Sequence, residues 1–215
     1  MSQYPITAEV LEILASRICH DLISPVSAVN NGVEFWEEMG ADAGDDAIDL
    51  IAHSAKQASA RLQLFRFAYA AGGSEQHVSL DDIKSAFENF IEGSRTSLNW
   101  QVKDAQLDGM TPKGFCKVVL HLLMIGLDLM PKGGEITVTA EDTNSPTLTV
   151  QTKTESFSPS MDYIDVLEGR GNPQELTPKT VHPYLARAYS QHFNVSFQIV
   201  PQDDGVRFTI GGGWG

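Results

Sequence analysis

Positive charge, sulfur and long apolar runs are all scarce in this sequence. Lysine and arginine number 15 against 28 aspartates and glutamates, a formal net charge of −13 over 215 residues. A nucleic-acid binder needs a basic patch to neutralise phosphates. The one basic cluster, Lys56 with Arg61 and Arg66, is sparse, so no DNA or RNA partner is expected. The acidic excess serves solubility or the choice of partners. The two cysteines, Cys19 and Cys116, lie in different segments and form no metal-ligand spacing. Both are expected as reduced thiols, with Cys19 a small buried hydrophobe. No apolar run approaches the roughly 20 residues that cross a bilayer. The start, Met1-Ser2-Gln3-Tyr4-Pro5, has no basic stretch followed by an apolar one. Neither a membrane span nor a signal peptide is expected, and the expected location is cytoplasmic. Hydrophobic residues still make up 42% of the chain, enough for a core.

Two segments with different periodicities carry that core. Residues 1–73 read as two long helices. Thr7, followed by Val10, Leu11 and Leu14, starts the first. Ala15, Leu22, Val29 and Trp36 then fall seven apart, as do Leu11, Ile18, Pro25 and Gly32, with Val26 and Val33 widening the stripe. A polar turn over 40–46 follows, in which Asp45 or Asp46 can cap the second helix. That helix places Ile48, Ile51, Ala55, Ala58, Leu62 and Phe65 on a second seam. One hairpin leaves part of such seams open, and two copies forming a four-helix bundle close them, so a homodimer is expected.

Ala70-Ala71-Gly72-Gly73-Ser74 marks a domain boundary, and residues 74–215 alternate. Helices are expected over 81–92, 112–130 and 183–193, and a strand over 98–103. Paired strands are expected over 135–141 and 147–153, with their turn at 143–146, and a closing hairpin over 195–200 and 206–211. Gly133-Gly134 reads as a turn, and residues 155–178 as a loop. The fold class is α+β: an N-terminal helical hairpin, then an α/β sandwich with helices on one face of a mixed sheet.

His20 falls on the side of the first helix away from the seam. Ser24, Ser27 and Asn31, at offsets of four, seven and eleven, share its face. A neutral imidazole is a good nucleophile near pH 7 because one ring nitrogen keeps a free lone pair. Asp21 can hold the other ring nitrogen and so set the tautomer. Arg17, one turn earlier, can meet phosphate oxygens. A plainer reading exists for each: a surface histidine, a solvated Asp21, and Arg17 as its ordinary i,i+4 partner. Pro25 weighs against the plainer reading. A proline inside a helix costs about 3 kcal/mol, and a sequence that keeps one five residues after an exposed histidine uses the resulting bend.

His20-Asp21-Leu22-Ile23-Ser24-Pro25-Val26 resembles the H-box of histidine kinases, and the longer run from Leu14 to Gly32 closely resembles the ChpT family of bacterial histidine phosphotransferases. The resemblance implies a hairpin dimerisation and phosphotransfer domain, followed by a domain resembling the histidine-kinase ATPase domain. It implies a phosphohistidine at His20, loaded from the receiver domain of a hybrid histidine kinase and unloaded onto response regulators of the CtrA and CpdR type. Receivers would dock near Arg17, Ser24, Ser27 and Asn31, with help from Arg61 and Arg66. Mg²⁺ would sit in the partner receiver, and this chain would bind no metal or cofactor. In H-box proteins the position of Ser24 can also serve receiver dephosphorylation.

The second domain departs from the ATP-binding pattern in three places. In the helix resembling the one that carries Asn for Mg²⁺, His121 and Ile125 occupy the two Asn places, and isoleucine has no oxygen for a hard cation. After Thr152-Lys153-Thr154 the Asp-x-Gly-x-Gly motif is replaced by Glu155-Ser156-Phe157-Ser158-Pro159. Val181-His182-Pro183-Tyr184-Leu185 stands where a Gly-rich run belongs, and Gly169-Arg170-Gly171 is a weak remnant. No ATP and no ATP-driven autophosphorylation are therefore expected. His53, His77, His182 and His192 have no ligand spacing and are expected as structural or surface residues. Two rival readings are a dimeric scaffold that binds response regulators without chemistry, and an ATP-dependent kinase with an atypical site.

Overall fold

The computed structural model describes residues 4–40, 44–70, 78–102, 111–141, 147–155, 157 and 159–211. The first helix, α1 (Ala8–Met39), starts where Thr7 accepts a hydrogen bond from the Val10 amide, satisfying one of the amides left open at a helix start. It continues through Pro25, which is buried. Proline has no N–H, so the Asp21 carbonyl, four residues back, loses its helical donor.

The second helix, α2 (Gly44–Tyr69), starts earlier than expected. Asp45 and Asp46 lie inside its first turn, where carboxylates favour the positive helix end, and neither is the residue before the helix. The two helices approach closely at Gly32, where a Cβ would come within 2.6 Å of Ile51 Cγ1. The hydrophobic stripe is split. Pro25 and Gly32 are buried, while Leu11, Val26, Val33, Trp36, Ile48 and Leu62 remain 40–56% exposed.

Beyond residues 71–77, where the expected boundary lies outside the described residues, α3 (Leu80–Ile91) opens on a reciprocal cap between Ser79 and Asp82. Strand β1 (Thr96–Trp100) begins two residues before the expected one; Lys103 is outside the described residues. Helix α4 (Phe115–Asp128) is buried on almost every side, as a helix between a sheet and other helices must be. Gly133 makes the expected turn with φ 95°, and a Cβ there would meet the Arg95 carbonyl oxygen.

Strands β2 (Gly134–Glu141) and β3 (Thr147–Lys153) pair antiparallel; their turn is outside the described residues. The stretch 155–178 corrects the expected loop. It contains α5 (Met161–Leu167) and a 3-10 turn at Pro173–Glu175. Seven residues are too few to display a helical period. Tertiary contact supplies what nucleation lacks, because Tyr163, Val166 and Leu167 are buried. Helix α6 (Val181–Phe193) starts two residues earlier than expected, with Pro183 in its first turn, where a missing N–H is tolerated. The hairpin of β4 (Phe197–Gln202) and β5 (Gly205–Ile210) turns at Asp203-Asp204.

The sheet order is β1-β2-β3-β5-β4, with β1 and β2 parallel and the other pairs antiparallel. Ile136, Val138, Leu148, Val150, Phe208 and Ile210 bury one face under the helices, which gives the expected α+β sandwich. Leu64, Phe65 and Ala68 of α2 belong to the same core cluster, so apolar packing runs from the hairpin into the sheet domain. Among the described residues no helix is long and apolar enough to cross a membrane.

Candidate functional site

On α1, His20 is 87% exposed. The helix puts Ser24, Ser27 and Asn31 on the same outer face, and all three are exposed. The imidazole Nδ1 lies 3.3 Å from Asp21 Oδ1. That contact sets Nδ1 as the protonated nitrogen and leaves the Nε2 lone pair directed to solvent.

Asp21 is held in turn. Its Oδ2 accepts a hydrogen bond from Arg17 Nε at 3.3 Å. Arg17 does not stand on the open face with the serines. It turns toward the second domain and is 18% exposed. Its Nη2 donates to Asp128 Oδ1 at 2.7 Å and its Nη1 to the Pro178 carbonyl at 2.9 Å. Burial lowers the Arg17 pKa, but Asp128 and Asp21 outweigh it and raise the group above its ordinary value. Asp128, the last residue of α4, also faces His182 Nδ1 at 3.3 Å and the Tyr163 hydroxyl at 3.5 Å. Burial pushes its carboxyl up; His182 and Arg17 overcome that and hold it below the usual carboxylate range.

Two histidines of the second domain, His121 and His182, point inward. His121 is fully buried, its ring stacked on Tyr189 with centroids 5.0 Å apart and its Nε2 3.3 Å from the Ala68 carbonyl oxygen. Burial, and then His182, push its pKa down to about 3, so it is neutral. Ile125 is fully buried too. Neither side chain is exposed to solvent. A cleft of about 520 Å³ does open beside the Arg17–Asp128 contact, lined also by Tyr163, Ser160 and Lys179. Among the described residues no group of three His, Cys, Asp or Glu is placed to hold a metal ion.

Other expected positions resolve as follows. Cys19 is exposed, which corrects the expected buried hydrophobe: His20 and Cys19 both lie outside the packed stripe. Lys56 pairs with Glu92, Arg61 lies over the Phe90 ring and Arg66 over Phe67, so these cations are engaged along α2. His53 and His192 are exposed, His182 is buried, and His77 is outside the described residues. Sequence reasoning missed Asp128, Tyr163 and the pairing of His182. Asp128 lies 111 residues from Arg17, and no local spacing announces a contact of that range.

Comparison with known proteins gives concordant results. The family model for the histidine phosphotransferase C-terminal domain matches residues 80–205. The protein phosphotransferase ChpT of Brucella abortus (strain 2308) is 30% identical over 210 residues, spanning 95% of this chain and 98% of its own length. A bacterial phosphotransferase solved at 1.7 Å is similar in structure, with a TM-score of 0.79 at 28% identity, covering 96% of this chain and 98% of that one.

Proposed function

The chain belongs to the ChpT family of bacterial histidine phosphotransferases, and from that premise we propose that it shuttles a phosphoryl group through His20, from the receiver domain of a hybrid histidine kinase to the receiver of a response regulator. The observation that carries the reading is the exposed His20 imidazole with Nδ1 against Asp21 and Nε2 open.

In the loading step the Nε2 lone pair attacks the phosphorus of a receiver aspartyl phosphate in line. The P–O bond to the aspartate breaks, and the carboxylate leaves with that electron pair. The ring, carrying phosphorus on Nε2 and a proton on Nδ1, becomes cationic, and the Asp21 carboxylate at Nδ1 stabilises it. Unloading runs the same path backward: the acceptor carboxylate attacks phosphorus, the N–P bond breaks, and neutral imidazole departs. Such loose phosphoryl transfers need positioning and charge stabilisation more than covalent help. The receiver's Mg²⁺ supplies part of that charge, and this chain supplies the nucleophile and its orientation. Ser24, Ser27 and Asn31 are small and polar, which leaves a receiver room to bring its aspartate to Nε2. CtrA- and CpdR-type regulators are the acceptors that the family membership suggests.

We further infer a homodimer through the hairpin. The partly exposed Val26, Val33, Ile48 and Leu62 continue the heptad seams, and a second copy covers them. The buried His121 and Ile125 support a chain that does not draw phosphate from ATP.

The test is transfer of labelled phosphate from a loaded receiver. Label is expected on the wild type, and neither on His20→Ala nor on samples given ATP alone. Label from ATP alone would establish the kinase alternative. Receivers that bind without transferring label would establish the scaffold alternative.

A further inference from the structure

We propose that Asp128, at the end of α4, is a positioning residue for the His20 reaction, acting through Arg17 and Asp21. This rests on the reading of His20 as the phosphoryl carrier. The support is an unbroken series of contacts: His20 Nδ1 to Asp21 Oδ1 at 3.3 Å, Asp21 Oδ2 to Arg17 Nε at 3.3 Å, Arg17 Nη2 to Asp128 Oδ1 at 2.7 Å, and Asp128 Oδ2 to His182 Nδ1 at 3.3 Å.

Each link fixes the next. The two Asp21 oxygens are divided between His20 and Arg17, so the plane of the carboxylate follows the guanidinium. A lone Arg–Asp pair four residues apart on a helix surface contributes little and holds no single geometry. Arg17 is different because its far end is clamped. Its contact with Asp128 is the shortest in the series, both side chains are about four-fifths buried, and the Pro178 carbonyl takes a second donor. A planar guanidinium held on both sides orients what it touches.

Charge acts in the same direction as geometry. Arg17 stands between two carboxylates, so Asp128 absorbs part of its positive charge. Asp21 thereby keeps more negative potential for the ring that becomes cationic on phosphorylation.

A junction serving stability alone has little use for these groups. Leu64, Phe65 and Ala68 already join the hairpin to the second domain through the core, and buried ion pairs recover their desolvation cost poorly. Moreover, among the described residues Tyr69 Oη, His121 Nδ1 and His182 Nε2 are buried without a hydrogen-bond partner, an arrangement that costs stability. The polar junction is explained by its connection to His20. Through Asp128 the second domain takes part in the chemistry without a nucleotide.

The experiment compares the wild-type full chain with Asp128→Asn, a variant of the same shape without the charge. Two readouts are taken: the ¹⁵N signals of the His20 ring, identified against His20→Ala, and the rate of labelled transfer as receiver concentration is varied. We expect the Nδ1–H tautomer of His20 to lose population in Asp128→Asn. We expect kcat to fall on the order of tenfold, the scale of one charge-assisted hydrogen bond, with KM unchanged. Arg17→Gln, which breaks the same series from the other side, should give the same pattern and serves alone if Asp128→Asn does not fold. Unaltered ring signals and kcat in a folded variant would overturn the proposal and leave Asp128 a domain clasp. A raised KM with kcat unchanged would also overturn it, by placing Asp128 on the docking surface. Failure of the wild type to take label on His20 would refute the carrier reading instead, and the ring signals would still decide whether Asp128 orients His20.

Discussion

Two histidines show how placement sets chemistry at the scale of single residues. His20 is solvated and free to react, whereas His121 is sealed in α4 with its pKa pushed from an ordinary 6.5 to about 3 by burial and by His182. In the unfolded chain the same His121 takes up a proton near 6.5. Between those values the unfolded state therefore binds more protons, and stability falls as pH drops, by on the order of 1 kcal/mol per pH unit. Asp128 acts in a separate window. Its lowered carboxyl contributes stability above its ordinary value that is lost only as pH falls through the folded one, below about pH 4. Urea unfolding between pH 6 and pH 4.5, compared between the wild type and a His121 variant, reports the His121 contribution. His121→Phe, which keeps an aromatic ring against Tyr189, is expected to reduce the pH dependence of stability by about one proton. An unchanged slope would show that His121 takes up its proton in the folded state.

Within the elements, the hairpin depends on close approach. Gly32 lets α1 and α2 touch, because any Cβ there falls 2.6 Å from Ile51 Cγ1. Gly32→Leu should improve helix propensity by about 1 kcal/mol yet lose more through overpacking, whose forced side-chain and backbone shifts cost about 1–3 kcal/mol. The expected net loss is about 1 kcal/mol of stability, read from urea midpoints, while Asn31→Leu one residue away on the open face should be near neutral. Equal effects from the two would mean that the helices can separate without cost. The hairpin was legible in the sequence because both helices are long enough to repeat their pattern. Helix α5 was not, since its seven residues are ordered by the core they touch.

For the whole molecule, the deciding question is what covers the open half of the seams. Ile48 and Leu62, fourteen residues apart on α2, are 49% and 56% exposed, and Val26 on α1 is 56% exposed. Side chains of that size left in water forgo roughly 1–2 kcal/mol each, which a second hairpin, as proposed above, would recover. The wild type should therefore sediment at twice the chain mass. The double variant Val26→Asp, Leu62→Asp should sediment as a monomer with its helical content retained. A wild type that remains monomeric at high concentration would remove the four-helix bundle from the proposal.

The sequence by itself determined the features that depend on near neighbours. The heptad spacing placed His20 opposite the seam, the run from His20 to Pro25 carried the family resemblance, and alternation located four of the five strands to within two residues. Such patterns say which face of an element is apolar. They do not say which face meets which element. Tertiary structure alone decided that Arg17 turns inward to Asp128, 111 residues away, that His182 is buried against the same carboxylate, and that Cys19 is left outside. Contacts between distant segments arise from how helices and sheet pack around a shared core, and an arginine's spacing on its own helix carries no record of the partner that packing brings to it.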